Sequence, residues 1–282
     1  MIPSAEAWGG RPLFSTHDPS RVETVDIPSS NNPAELLAWD DAFLEETEAT
    51  GRQFLWFWES PVPFVVVGYG QTIPDTVHVE ACRHANVPIL RRRSGGGTVI
   101  QGPGCLCYGI TLDPRSAPAL ESIDSTNRWI LESQISALQP LMETRISIEG
   151  HTDLALTLPQ GKRKFSGNAQ RRTRGAILFH GTFLHGLDIR CMADLLKLPV
   201  DRPAYRDSRD HHDFLTRIPI PPDRIRVAIR NAWGAIDSDR ALPRPRHQQA
   251  IALRYGQAAW HWSRSAVRGA APLGVATRSH AF

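Results

Sequence analysis

Between residues 145 and 184 four short strand-like segments follow one another, at 145–148, 153–158, 163–170 and 176–184, separated only by turns. Connections that short join antiparallel neighbours, because a parallel return needs a crossover of a dozen or more residues. The middle of the chain therefore reads as a run of hairpins. Further strands are read at Phe64–Val67, a β-branched run closed by Gly68, and at Pro88–Arg92, Thr98–Ile100 and Leu106–Leu112. Helices are read from apolar spacing. Asn32 caps the first and Pro33 opens it, with Leu36, Trp39 and Phe43 on one stripe to about Glu48. Residues 76–86 form a second. A third, over 125–142, carries Leu131, Ile135, Leu138 and Met142 and ends or kinks near Gln139, because Pro140 follows. A fourth spans 222–236, with Ile225, Ile229, Trp233 and Ile236 on one face. The stretch 200–221, rich in Pro, Asp, Arg and His, reads as a long loop. Strands in hairpin runs, mixed with helices but not alternating with them, predict the α+β class: a mixed, largely antiparallel sheet flanked by helices.

The domain organisation expected is a lead-in over 1–30, one folded unit over 31–262 and a loose tail over 263–282. The chain's 282 residues, 41% apolar and 22% charged, can bury a sizeable core. No apolar run approaches the ~20 residues of a membrane span, and MIPSAEAWGG lacks the pattern of a signal peptide. Cys82, Cys105, Cys107 and Cys191 form neither a zinc knuckle nor a C-x-x-C and read as free thiols of a reducing cytoplasm. The net charge of +3, with arginines interspersed among 29 acids, gives no argument for nucleic acid.

Of 32 basic residues only Lys162, Lys164 and Lys197 are lysines, and two of them stand in one short segment. Lysine is a compact, mobile cation suited to a phosphate or a developing oxyanion. In a regular strand Lys162 and Lys164 share one face, and Arg163 and Phe165 share the other. Upstream, Arg91-Arg92-Arg93-Ser94-Gly95-Gly96-Gly97-Thr98 places three glycines beside arginines. Such a loop can aim several N–H groups at an anion, though a solvated basic hairpin has the same look. No Lys-Ser/Thr follows the glycines, so it is not a Walker loop. Phe179-His180-Gly181-Thr182 suggests a close backbone approach in an apolar strand, with His180 either a base or a structural histidine. In Gly150-His151-Thr152-Asp153 the aspartate can hold Mg²⁺, orient a lysine, or simply cap a turn. Arg209-Asp210-His211-His212-Asp213 invites a metal reading, but adjacent histidines point apart and a solvated loop is preferred.

The order RRxSGGG, GHTDL, KFSGNAQ, FHGT resembles the lipoate–protein ligase A family, which includes octanoyl- and lipoyltransferases. The pattern runs over roughly 31–218, starting with NPAELLAWDDAFLE and FVVVGYGQ. The resemblance implies a core related to biotin ligases and class II aminoacyl-tRNA synthetases. It implies activation of lipoate or octanoate by ATP and Mg²⁺ to an acyl-adenylate, then transfer to the lysine of a lipoyl-carrier domain. Carried over residue by residue, Lys164 is the central catalytic cation, and Asp153 acts on Mg²⁺ or the acceptor amine. Arg92 with Ser94, Gly95, Gly96 and Gly97 holds acyl carbonyl and phosphate. Ala169, His180, Gly181 and Thr182 line the nucleotide and acyl slot. Val65, Val67 and Phe165 are the acyl-pocket choices. The chain departs from the family in two places. Gln101-Gly102-Pro103-Gly104-Cys105 stands where ligases commonly read His-Asp-x-Gly-Asn, and Thr152 stands where Asn precedes the aspartate. Little chain remains for an accessory domain, which points to a separate accessory chain or to transfer of a preformed acyl group. An octanoyltransferase would need a nucleophilic cysteine, for which Cys105 and Cys107 lie nearest. A non-catalytic acyl-nucleotide or carrier-protein binding module is the third reading.

Overall fold

The computed structural model describes residues 21–199 and 202–263. Among these residues the chain builds two sheets. Strands β1 (Val22–Val25), β2 (Gln53–Trp58) and β6 (Cys105–Leu112) belong to the large one, with β3 (Phe64–Val67), β4 (Ile89–Arg91) and β5 (Val99–Gln101) in the small one. The large sheet continues with β7 (Ile146–Glu149), β8 (Asp153–Leu158), β9 (Gly161–Arg172), β10 (Ile177–Leu184) and β11 (Ile236–Asp237). Its order is β11-β1-β2-β6-β10-β9-β8-β7, with β1 parallel to both neighbours and every other pairing antiparallel. The small sheet runs β4-β3-β5. A mixed, largely antiparallel sheet is thus the architecture, and the hairpin run of β7 to β10 forms one half of it.

The helices are α1 (Pro33–Thr50), α2 (Ile73–Thr76), α3 (Val79–His84), α4 (Ile123–Leu138), α5 (Arg190–Leu195), α6 (His211–Phe214), α7 (Pro222–Trp233), α8 (Arg244–Ala250) and α9 (Ala258–Trp262). The Asn32 side chain accepts the Ala34 N–H at 3.1 Å, and Gly51 ends α1 in a left-handed conformation, so both ends are satisfied locally. Helix α4 stops at Leu138 and tightens into a 3₁₀ turn over Gln139–Leu141, as Pro140 requires.

The alternation of side chains along the large sheet makes two cores. One face, with Leu55, Tyr108, Phe179 and Phe183, packs under α4 and α7. The other, with Trp56, Cys105, Cys107 and Leu178, packs with α1 and the small sheet. Among the described residues no helix is long and apolar enough to cross a membrane.

Three expectations are corrected. The lead-in is not wholly outside the fold, because Val22–Val25 is a strand of the large sheet and Val22 is fully buried. Its partner β2 supplies the pairing, which a four-residue run cannot advertise alone. The 76–86 helix is instead two short helices broken at Val77, which bridges to Leu196. The loop 200–221 contains a 3₁₀ turn, Ala204–Arg206, and the helix α6, and both cover the site described next. The 1–20 part of the lead-in and the tail from 264 lie outside the described residues.

Candidate active site

A cavity of about 610 Å³ opens between the large sheet, the small sheet and the 204–215 segment. Its wall is built from β9 and β10. Ala169 pairs with His180 and Gly167 with Thr182, so these four residues share the face toward α1. Strand β8 adds Asp153, opposite Gly167.

A β-bulge aims the central lysine. Leu154 pairs with Ser166 but Ala155 with Lys164, which leaves Phe165 as the extra residue of β9. Strand alternation alone would put Lys164 and Gly167 on opposite faces. The bulge puts Lys164 on the cavity face, where its Nζ donates to Asp153 Oδ1 at 2.7 Å. The Lys164 side chain lies across Gly167, where an added Cβ would stand 2.7 Å from Nζ. Phe165 is turned into the core beneath α4 and is fully buried. Tyr205 closes this corner, its hydroxyl donating to Asp153 Oδ2 at 2.7 Å. Burial and the Asp153 charge push the Tyr205 pKa upward, so the hydroxyl keeps its proton.

The glycine loop forms the opposite wall. Arg92 is buried and curls the loop around itself, donating to Ser94 Oγ at 2.9 Å, Gly95 O at 2.6 Å and Gly97 O at 2.9 Å. In a planar trans peptide the N–H points opposite to the preceding C=O. The amides of Gly96 and Thr98 therefore face away from Arg92. Burial pushes the Arg92 pKa down to about 10, opposed by the nearby charge of Asp40, and the side chain stays a cation at neutral pH. Gly68, at the end of β3, packs against this loop so closely that an added Cβ would meet Gly96 O at 2.0 Å.

His180 joins the two walls. Its Nδ1 lies 2.6 Å from Asp40 Oδ2 and its Nε2 lies 2.5 Å from Ser94 Oγ. A carboxylate only accepts, so Nδ1 carries a proton. Asp40 comes from the middle of α1 and is 3% exposed.

Lys164, Asp153, Arg92, Gly96, Gly97, Ala169, His180, Gly181 and Thr182 thus all border one cavity. Ser94 and Gly95 do not. Ser94 is buried behind His180, and Gly95 is exposed outside. The acyl-pocket choices are not brought to the cavity either. Val65 and Val67 are fully buried in the core between the sheets, because the small sheet is covered on both faces, and the bulge removes Phe165. The apolar part of the lining comes instead from Leu37, Trp58, Cys107, Met192, Leu196 and Phe214. His211 is buried against the cavity while His212 is exposed, so this pair points apart, from a short helix and not from a solvated loop. Lys162 pairs with Glu149 at the surface, and Lys197 lies on the cavity rim with its Nζ donating to Pro74 O.

The geometry disagrees with Asp153 as a metal ligand. Both of its oxygens accept hydrogen bonds, and the Lys164 ammonium takes the position of counter-charge. Among the described residues no group of three or more His, Cys, Asp or Glu is arranged to hold a metal ion. Cys105 and Cys107 are equally unsuited to attack. Cys105 is fully buried, and Cys107 donates its S–H to Cys105 O at 3.6 Å, with its thiol pushed well up by burial.

Asp40, Tyr205 and Arg206, a buried arginine that also borders the cavity, were missed by sequence reasoning. Asp40-Asp41 did carry a signal: two acids stand within Leu36-Leu37-Ala38-Trp39 and Ala42-Phe43-Leu44, where a helix has no solvated side to offer them. Tyr205 and Arg206 carried none.

A lysine–aspartate pair on one wall of a cavity thus faces a glycine loop on the other. Residues 32–217 match the family model of the lipoyl protein ligase A/B catalytic domain. The chain belongs to that family. Its fold is shared with solved structures. A bipartite lipoate protein ligase of Thermoplasma acidophilum, studied with its E2 lipoyl domain, superposes with a TM-score of 0.72 at 19% identity, over 86% of this chain and 96% of that one. A lipoate-protein ligase A bound with ATP gives 0.66 at 20%, over 86% and 98%. The T. acidophilum protein Ta0514, with bound lipoic acid, gives 0.66 at 19%, over 86% and 98%.

Proposed function

We propose that this protein attaches a lipoyl or octanoyl group to the lysine of a lipoyl-carrier domain, by way of an acyl-adenylate made from ATP. The observation that carries the reading is the Lys164–Asp153 pair at 2.7 Å on the cavity face. A carboxylate is a poor acyl donor, and joining it to a nucleotide phosphate gives a leaving group. That step concentrates negative charge on the α-phosphate and the acyl oxygen, where an ammonium sheltered in a cavity is most effective. Lys164 supplies it, and Asp153 and Tyr205 hold it in place. The Gly96 and Thr98 amides supply donors on the facing wall, and Leu37, Trp58 and Met192 offer apolar surface to the chain of the acid. In the second half-reaction Asp153, the carboxylate on the cavity face, is assigned the proton of the attacking amine, which it takes by giving up its bond from Lys164 or Tyr205. No metal held by Asp153 enters these steps.

Gln101–Cys105 and Thr152, in place of the usual family residues, favour a second reading, in which the protein transfers an acyl group activated elsewhere. One experiment separates the two. Pyrophosphate release is measured with ATP-Mg²⁺ and lipoate, octanoate or biotin, each with and without an apo lipoyl domain. Release with lipoate or octanoate supports the ligase. No release with any acid, but modification of the domain by synthetic lipoyl-AMP, leaves only the transfer.

A further inference from the structure

His180 links two parts of the fold that belong to different sheets. Its strand, β10, lies at the centre of the large sheet, while Ser94 belongs to the loop leading from β4 to β5 of the small one. Ser94 Oγ already accepts from the Arg92 guanidinium at 2.9 Å. A second cation donating to the same hydroxyl would add like-charge repulsion in a buried place. A neutral imidazole avoids this, since its Nε2 accepts the single Ser94 proton at 2.5 Å. That arrangement needs the ring proton on Nδ1, and Asp40 Oδ2 stands 2.6 Å from Nδ1. The hydrogen bond at one ring nitrogen sets the state of the other.

We propose that Asp40 is a positioning residue: it holds His180 in the Nδ1–H tautomer, which makes Nε2 the acceptor for Ser94 and pins the glycine loop over the cavity. Without Asp40 the ring is free to carry its proton on Nε2, and Ser94 Oγ, which already accepts from Arg92, must then turn its own proton away and loses its acceptor on His180. The Ser94 tie between the loop and the large sheet is then weakened, while the Arg92 bonds, the Arg93 pairs with Asp41 and Glu45, the Thr98–Thr76 bond and the bond from Tyr69 N to Ser94 O remain. Asp40 thus acts on the glycine loop through His180 and Ser94, although it also borders the cavity with 3% of its surface exposed. The inference rests on the proposed reaction only in taking the glycine loop as a substrate-facing wall.

The test uses the full chain labelled with ¹⁵N in histidine, the His180 ring being assigned from its loss in His180→Asn. Ring ¹⁵N shifts report the tautomer, and exchange of the Tyr69 amide, whose acceptor is Ser94 O, reports the loop. The wild type is expected to show Nδ1–H. Asp40→Asn offers the same ring proton a carbonyl oxygen and should keep both readouts. Asp40→Ala should move the proton to Nε2 and speed Tyr69 exchange roughly tenfold, with the β6–β10 amides unchanged. Ser94→Ala approaches from the other end without touching α1, and should leave the ring in the Nδ1–H form while speeding Tyr69 exchange. If Asp40→Ala loses the β6–β10 protection, the Ser94→Ala result decides. The proposal is overturned if Ser94→Ala leaves Tyr69 exchange at the wild-type rate, if a folded Asp40→Ala keeps the Nδ1–H ring, or if Asp40→Asn is as disruptive as Asp40→Ala. None of these readouts needs a substrate, so they are independent of the ligase assay. Where acyl transfer is measurable, Asp40→Ala should raise KM more than it lowers kcat. A fall in kcat alone would place Asp40 in the chemistry and overturn a positioning role.

Discussion

Lys164 and Gly167 are three residues apart on one strand, yet the lysine side chain lies across the glycine on the same face. The bulge at Phe165 makes this so, and it converts a basic hairpin into a cavity wall with an ammonium in it.

The first expectation concerns the lysine itself. Lys164→Arg keeps the charge but replaces a compact ammonium with a broad planar fork in the narrow space over Gly167. Acyl transfer should fall by about 10²-fold or more. Lys162→Arg, at a surface lysine paired with a largely covered Glu149, should leave the rate within about twofold. Single-turnover transfer to an apo lipoyl domain measures both.

Gly167→Ala tests the bulge geometry without changing a charge. The new Cβ would lie 2.7 Å from Nζ and 2.8 Å from Cε, and both belong to the far end of a flexible chain. Lys164 should swing aside at little energetic cost. Activity should drop toward that of Lys164→Arg while thermal unfolding shifts by only a few degrees.

The phenol in this corner has a separate role. Tyr205→Phe removes the donor to Asp153 Oδ2 and frees one carboxylate oxygen. Stability should fall by about 1.5–3 kcal/mol, the usual worth of a hydrogen bond to a charged group. Turnover should fall several-fold because Asp153 no longer holds Lys164 in one position. Urea unfolding and transfer kinetics on the same preparation check the two effects.

Acid should destabilise the fold through histidines buried in the neutral state. His261 takes the Arg91 N–H on Nδ1 at 3.0 Å and donates from Nε2 to Tyr255 O at 3.0 Å, an arrangement that requires the neutral ring. Burial lowers the pKa of His261, and also that of His247 and His211. The unfolded chain therefore binds these protons first. Stability is fully present above pH ~6.5 and is lost as pH falls from there toward the depressed folded values. Urea midpoints should be flat from pH 8 to 7 and decline from 6.5 to 5, with a shallower decline in His261→Gln. A midpoint that rises on acidification would contradict this assignment.

The hairpin run at 145–184 was legible because each strand is one continuous segment whose partner is its neighbour in the chain. The RRxSGGG and KFSGNAQ segments were legible as chemistry because glycine next to arginine, and lysine in a chain that has almost none, are local facts. Strand β1 was not legible, since four residues become a strand only when β2 and β11 flank them. The placement of the acyl-pocket choices was hidden for the same reason: Val65, Val67 and Phe165 are apolar and near the motifs, but exposure to a cavity depends on what the other sheet covers.

The sequence by itself determined the class of fold, the family motifs and the lysine. It determined these because hydrogen-bonding partners close in the chain leave a periodic trace, and rare residue types stand out without any structure. Only the tertiary structure decided which way Lys164 points, that both oxygens of Asp153 are committed to Lys164 and Tyr205, and that Asp40, 140 positions before His180 in the chain, is its neighbour in space. A bulge is a property of two strands in register, and a buried carboxylate is satisfied by whatever the packing of α1 against β10 brings to it. Neither relationship leaves a periodic trace in the chain.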